Sequence, residues 1–120
     1  MALERGKLSN VVRVAAGATV GIATCTSGKK VYIKSIIAHA SAAGVNTATG
    51  QVYFTQAGVT TGATTRIFDV NVNAGETVLI EPSYPIVLAE NGDTLAVGTG
   101  NIAGYAATHV NFMITGDKEA

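Results

Sequence analysis

The chain has 120 residues, with eight Lys and Arg against eight Asp and Glu, and 48% of it is hydrophobic against 13% charged. That balance excludes a disordered tail and the basic footprint of an electrostatic nucleic-acid binder, and the length suits one domain with a true core. A single cysteine, Cys25, excludes an intrachain disulfide framework and any multi-cysteine zinc site.

In chain order, residues 1–8 (MALERGKL) alternate charged and apolar side chains, with no apolar run behind Arg5 and Lys7. This is unlike a signal peptide and makes a cytoplasm the expected compartment of synthesis. The segment reads as an N-terminal arm, either frayed or tied to a neighbouring subunit. The apolar stretch 14–25 is interrupted by Gly17, Thr19, Gly21 and Thr24. It falls short of the roughly 20 apolar residues that a membrane span needs, so no membrane association is expected.

Period-two alternation then recurs in short blocks. Val31 and Ile33 alternate with Lys30, Tyr32 and Lys34. Phe68, Val70 and Val72 alternate with Ile67, Asp69 and Asn71, and Val110, Phe112 and Ile114 with Asn111, Met113 and Thr115. Such alternation sends one set to a buried face and the other to water, and the residue types favour strands. No window carries a capped helical stripe. Strands are expected at 10–15, 19–24, 30–40, 51–56, 65–72, 77–81, 86–88, 94–98 and 108–115. The fold class is all-β: a single β-sandwich or jelly-roll-like domain of about eight or nine short antiparallel strands.

Turn signals separate the blocks at Ala16-Gly17, Ser27-Gly28, Ala74-Gly75 and Asn91-Gly92, the last a hairpin cue. Pro82 and Pro85 flank Ser83-Tyr84, where a strand breaks or the chain passes between sheets. Segments 41–50 and 57–64 are small, polar and uncharged, and read as exposed loops. The domain plan is an arm over residues 1–8, a β-sandwich over 9–116 and a C-terminal tail over 117–120.

Chemistry is hard to assemble from these residues. His39 ends the strongest strand pattern and reads as a satisfied, partly buried side chain. His109 opens the last strand and reads as a solvent or subunit contact. No His pair or His–carboxylate cluster supports a metal. Cys25 stands near Lys29 and Lys30, which would lower a thiol pKa, but no His–Asn or His–Asp partner accompanies it, so a small core residue is expected. The carboxylates fall at turns or outward strand positions and read as a solvated face rather than a glycosidase pair. Glu90-Asn91-Gly92-Asp93 lacks the repeated ligands of a calcium loop, and the glycine segments lack a Walker lysine. No cofactor, metal or catalytic residue is expected. Tyr84 and Tyr105, in loop-like contexts, are the aromatics free to act as a platform.

Three blocks carry a resemblance: GKKVYIKSIIAHASAA (28–43), AGETVLIEPSYPIVLAENGDTLAV (74–97) and THVNFMITG (108–116). In their order the chain resembles the small β-sandwich structural proteins of tailed-bacteriophage virions. The resemblance implies a non-enzymatic virion protein, assembled in the host cytoplasm, and within that class a capsid decoration (cement) protein stabilising the head shell. It implies the major capsid protein or other virion proteins as partners and a homo-oligomer, with a trimer as the expected state. Contact residues would be Leu3, Arg5 and Leu8 in the arm, with Tyr84 and Tyr105. Neutral charge suits a protein packed in many copies. The alternatives are a neck or tail component and a small carbohydrate-binding sandwich using Tyr84 or Tyr105.

Overall fold

The computed structural model describes residues 3–15, 17–40, 48–73, 75–100 and 109–119. They form β1 (Leu3–Lys7), β2 (Val12–Ala15), β3 (Thr19–Thr24), β4 (Val31–Ala40), β5 (Ala48–Thr55), β6 (Arg66–Val72), β7 (Thr77–Ile80), β8 (Ile86–Leu88), β9 (Thr94–Thr99) and β10 (His109–Glu119). A single 3-10 turn, Ala63–Thr65, precedes β6.

The strands lie in two antiparallel sheets. In the first, β10 and β4 are central; β1 and β2 flank β10, and β7 and β8 flank β4. The second has the order β3-β9-β5-β6. β1 covers Thr115–Glu119 of β10 and β2 covers His109–Phe112, so the two are one interrupted edge strand. β7 and β8 do the same along β4. Merging each broken pair leaves eight strands, ordered 1-8-3-6 in one sheet and 2-7-4-5 in the other. This is the connectivity of an eight-stranded jelly roll.

Alternation explains the core. Val110, Phe112 and Ile114 of β10, Ile36 and Ala38 of β4, Val52 of β5 and Leu95 and Val97 of β9 have no measurable exposure. Each large side chain taken from water contributes about 1.5–3 kcal/mol. β4 needs one correction of phase, because Val31 and Ile33 point inward on odd numbers while Ile36, Ala38 and Ala40 do so on even numbers. A bulge supplies it. Ser35 pairs with Thr115 and Ile33 with Gly116, leaving Lys34 as the extra residue. Gly116 is the only residue type that fits opposite the bulge, since a Cβ there would stand 1.9 Å from the Tyr32 carbonyl oxygen.

Several local expectations take a different form in three dimensions. Of the segments set aside as arm and tail, the described residues pair as strand: Leu3 to Lys7 run antiparallel to 115–119, with Leu3 opposite Glu119 and Lys7 opposite Thr115. Leu8 follows on, with its N–H donating to the Ile114 carbonyl at 2.9 Å and its side chain packed against the core. Asn91-Gly92 makes a turn, with the Asp93 N–H donating to Glu90 O at 2.9 Å, but it joins β8 of one sheet to β9 of the other and not a hairpin. Ser27-Gly28 forms a tight turn with positive φ at both residues, closed by Lys29 N–H to Thr26 O at 3.0 Å. Pro82 and Pro85 break the edge strand between β7 and β8 without leaving the sheet. Of segment 41–50, residues 41–47 lie outside the described set and 48–50 begin β5.

Gly116→Ala is expected to destabilise the fold by about 3 kcal/mol or more, a steric cost at a backbone–backbone approach that no rotamer change relieves. Urea unfolding checks it, with Gly62→Ala as the comparison, because nothing lies within 4 Å of a Cβ at Gly62 and its backbone is extended, with φ −177°.

Candidate interaction surfaces

Cross-strand partners share a face, so the outward side of the first sheet can be read from its register. Met113 pairs with Ile37 and Ile37 with Leu79, which sets these three side chains in one row across β10, β4 and β7. Val11 extends the row at the β2 edge. A shallow groove of about 230 Å³ is lined by Val11, Ile37, His39, Asn111, Phe112 and Met113. Val11 is 63% exposed and Leu79 54%.

Polar rows bound this apolar one. Toward one end of the sheet, His39 Nδ1 shares a hydrogen bond with Thr77 Oγ1 at 2.9 Å. Toward the other, the Ser35 and Thr115 hydroxyls are hydrogen-bonded to each other. Beyond them the buried Asp117 carboxylate binds Lys34 Nζ at 2.8 Å and lies 3.8 Å from Arg5 Nε. Asp117 therefore departs from the solvated-face expectation for the carboxylates: the Lys34 bulge brings a cation over it.

The contact residues expected from the sequence are dispersed. Arg5 lies on β1 at the sheet edge, its side chain 81% exposed. Leu3 belongs to the same strand. Leu8 is half-buried against the core, which makes it a structural anchor. Tyr84 stands 85% exposed in the break between β7 and β8, on the opposite edge from Arg5. Tyr105 lies outside the described residues. The row at Val11, Ile37, Leu79 and Met113 escaped the sequence reading, because its residues alternate with core residues on separate strands and only pairing assembles them.

A second buried carboxylate, Asp93, holds the corner where three connections meet. It accepts from Glu90 N–H at 3.0 Å and from Ala57 N–H at 3.3 Å. Cys25 lies beside it, with its N–H donating to Asp93 O and its carbonyl accepting from Gly92 N–H, each at 2.9 Å. Cys25 has no exposed surface, and its Sγ donates to Lys29 O at 3.2 Å. Burial pushes its thiol pKa up, and the carboxylates of Asp93, Glu119 and Glu90 push the same way against Lys30. The lowering expected from the neighbouring lysines is thus overturned, and Cys25 is a small core residue.

An open cleft of about 500 Å³ lies between β5, β6 and the loop joining them, lined by Phe54, Gln56, Val59, Thr64, Thr65, Arg66 and Ile67. Among the described residues no three His, Cys, Asp or Glu side chains are placed to hold a metal. No helix among them is long and apolar enough to cross a membrane.

No family model matches the sequence, and no curated protein matches it. Among solved structures, the chain is similar to a protein of Bacillus endospore appendages described as a novel family of disulfide-linked pili, with TM-score 0.52 and 16% identity over 98% of this chain and 88% of that one. A looser similarity, TM-score 0.44 and 11% identity, relates 95% of the chain to 32% of a chain from the infectious bursal disease virus Gx strain. At this identity the first likeness speaks to the two-sheet fold alone.

Two outcomes follow from the corner and the edge. Asp93→Ala strips two backbone donors of their partner and is expected to cost about 1–3 kcal/mol, while Leu8→Ala costs about 1–2 kcal/mol, both read by denaturant unfolding. Cys25 is expected to resist alkylation at neutral pH and to react once urea unfolds the chain. Because folding raises this thiol pKa, its stabilising contribution is full below the ordinary thiol value. It is lost as pH climbs through the raised one, so stability declines on the alkaline side and Cys25→Ser flattens that decline.

Proposed function

We propose that this chain is a non-enzymatic structural protein of a particle, and in its sharpest form a decoration protein on the head shell of a tailed bacteriophage. One observation carries the reading. The described buried polar groups are used within the fold, whereas apolar side chains line up across one broad sheet face, exposed at Val11 and Leu79 and half-buried at Ile37 and Met113. Asp93 holds backbone donors, Asp117 holds two cations and Cys25 fills a corner. Val11, Ile37, Met113 and Leu79 remain facing outward. A protein that uses its polar groups internally and presents apolar surface is suited to docking rather than to chemistry.

The mechanism is mechanical. Binding the assembled shell and not its free subunits stabilises the shell by mass action, and repetition over many sites multiplies weak contacts. The major capsid protein is the proposed partner. Val11, Ile37 and Leu79 supply apolar contact, with Arg5 and Tyr84 at the two edges of the same sheet. Because β1 pairs with β10 and Leu8 packs inward, the N-terminal segment contributes as a sheet edge and not as a free arm. The pili of the similar appendage protein are disulfide-linked, a route that the buried Cys25 does not offer here.

A neck or tail position would use the same surface in a ring and is separated by copy number per particle. The carbohydrate-binding reading keeps Tyr84 or Tyr105 as its platform and gains a second candidate in the cleft at Phe54, Gln56 and Arg66, where an aromatic ring adjoins polar side chains. A glycan array with Tyr84→Ala, Tyr105→Ala and Phe54→Ala as controls tests it.

Co-sedimentation with assembled shells of a tailed-bacteriophage major capsid protein is the direct test. Leu79→Asp and Val11→Asp are each expected to weaken binding about tenfold or more, near 1.4 kcal/mol, with melting temperature unchanged. Failure of the wild-type protein to sediment with the shells, together with glycan binding, moves the assignment to the binding module.

A further inference from the structure

We infer that copies of this chain join head to tail through the two edges of the second sheet, β3 of one copy adding to β6 of the next. The inference rests on the structural reading above for its role, and on the contrast between the two sheets for its evidence.

Edge strands offer unpaired N–H and C=O groups to any strand that approaches, and soluble proteins usually blunt them with charge, proline or interruption. The first sheet is blunted on both sides. Its β1–β2 edge carries Glu4, Arg5, Lys7 and Arg13 and is interrupted between Lys7 and Val12. Its β7–β8 edge is interrupted by Glu81, Pro82 and Pro85. The second sheet lacks most of these devices. β3, TVGIAT, has no charged residue and no proline. β6, RIFDVNV, has two charges that bind each other, Arg66 Nε to Asp69 Oδ1 at 3.4 Å. Among the described residues no strand pairs with the outer side of either.

The direction of the strands makes these edges complementary. Each step β3-β9-β5-β6 is antiparallel, so β3 and β6 run in opposite senses at the two sides of one sheet. A second copy in the same orientation therefore brings its β3 antiparallel to β6, and the alternation continues across the junction. Six residues meet seven. Each strand also carries one bulge, at Ile22 in β3 and at Ile67 in β6. Antiparallel pairing sets the regular half of β3, Thr19 to Gly21, against the regular half of β6, Asp69 to Val72, and keeps both bulges clear of that stretch.

Register follows from the faces. Val20 pairs with the core residue Val97, and Val70 pairs with Gly50, beside Phe112, so both lie on the core-side face of the sheet, Val20 still 38% exposed at its edge. Inward meets inward when Val20 stands opposite Val70 of the next copy, which sets Thr19 opposite Asn71 on the outward face. A one-residue slip would turn one strand's apolar set outward. The contact uses two different surfaces, so it closes into a ring when its rotation divides a full turn and otherwise runs on as a row. A trimer is one of the closed forms.

The test uses Thr19 and Asn71, both exposed and facing outward, so that their substitution leaves the core untouched. Light scattering behind a sizing column across a wide concentration range reads the mass of three proteins, with melting temperature confirming the fold of each. Wild type is expected to be a multiple of 12.2 kDa. The double variant Thr19→Asp, Asn71→Asp sets like charges opposite each other at every junction and is expected to fall to monomer mass. The double variant Thr19→Lys, Asn71→Asp sets opposite charges there and is expected to recover the multimer. A symmetric β3–β3 or β6–β6 contact would pair like charges in both variants, so a monomeric Lys/Asp variant overturns the head-to-tail assignment. A multimeric Asp/Asp variant, or a wild type that is monomeric throughout, overturns it as well. In either case shell co-sedimentation of the wild type still decides the structural reading separately.

Discussion

The pairing of β10 with β4 is the constraint on which the rest depends. These are the two longest strands, central in their sheet, and every other strand of that sheet attaches to one of them. Their inward residues, Phe112, Ile114, Ile33 and Ile36, are also the floor on which the second sheet packs. For both halves of β4 to face that floor, the strand must change phase once, and the Lys34 bulge opposite Gly116 makes the change. The same bulge places Lys34 over Asp117, so one local irregularity serves core packing and neutralises the buried carboxylate outside it.

Two further features follow from having two sheets and short connections. Most connections cross from one sheet to the other, so turns meet at corners, and a corner brings backbone donors together with no strand to satisfy them. Asp93 answers this at the corner shared by the β3–β4 turn, the β5–β6 loop and the β8–β9 turn. Cys25 fills the space beneath it because a small, weakly polar side chain fits where a larger one would displace the turn. The corner thus looks like a chemical cluster in sequence, with a thiol, lysines and carboxylates close together, and is a packing junction in space.

Much of the fold was legible in the sequence and the reason is period two. The strands at 19–24 and 86–88 have the limits read from the pattern, and most of the others differ by only one to three residues at an end. What escaped was long-range. β1 alternates charge with apolar residues in the manner of a solvated arm, and only its pairing with 115–119 makes it a strand. Asn91-Gly92 carries a hairpin signature, yet local turn chemistry fixes the reversal and not which sheet receives the next strand. The outward apolar row was less legible still. The exposure of Tyr84 follows from its loop-like context between Pro82 and Pro85, whereas Ile37 and Met113 look like core in their own strands. Their outward row exists only once register is set.

The asymmetry between the sheets bears on how a neutral protein controls assembly. With eight charges of each sign, the chain has no net field to keep copies apart, so whatever limits association must be local. Charge and proline at the edges of the first sheet supply that limit there, directing any partner to its broad face instead. Among the described residues no strand pairs with the outer edges of the second sheet, and both carry bulges, which shorten the ladder available to a newcomer and hold a junction to a few residues. In the proposed arrangement each junction forms in solution and gains further strength when many are held on one scaffold. Face and edge would then divide the work: the apolar face of the first sheet selects the surface to which the protein docks, and the edges of the second link the copies to one another.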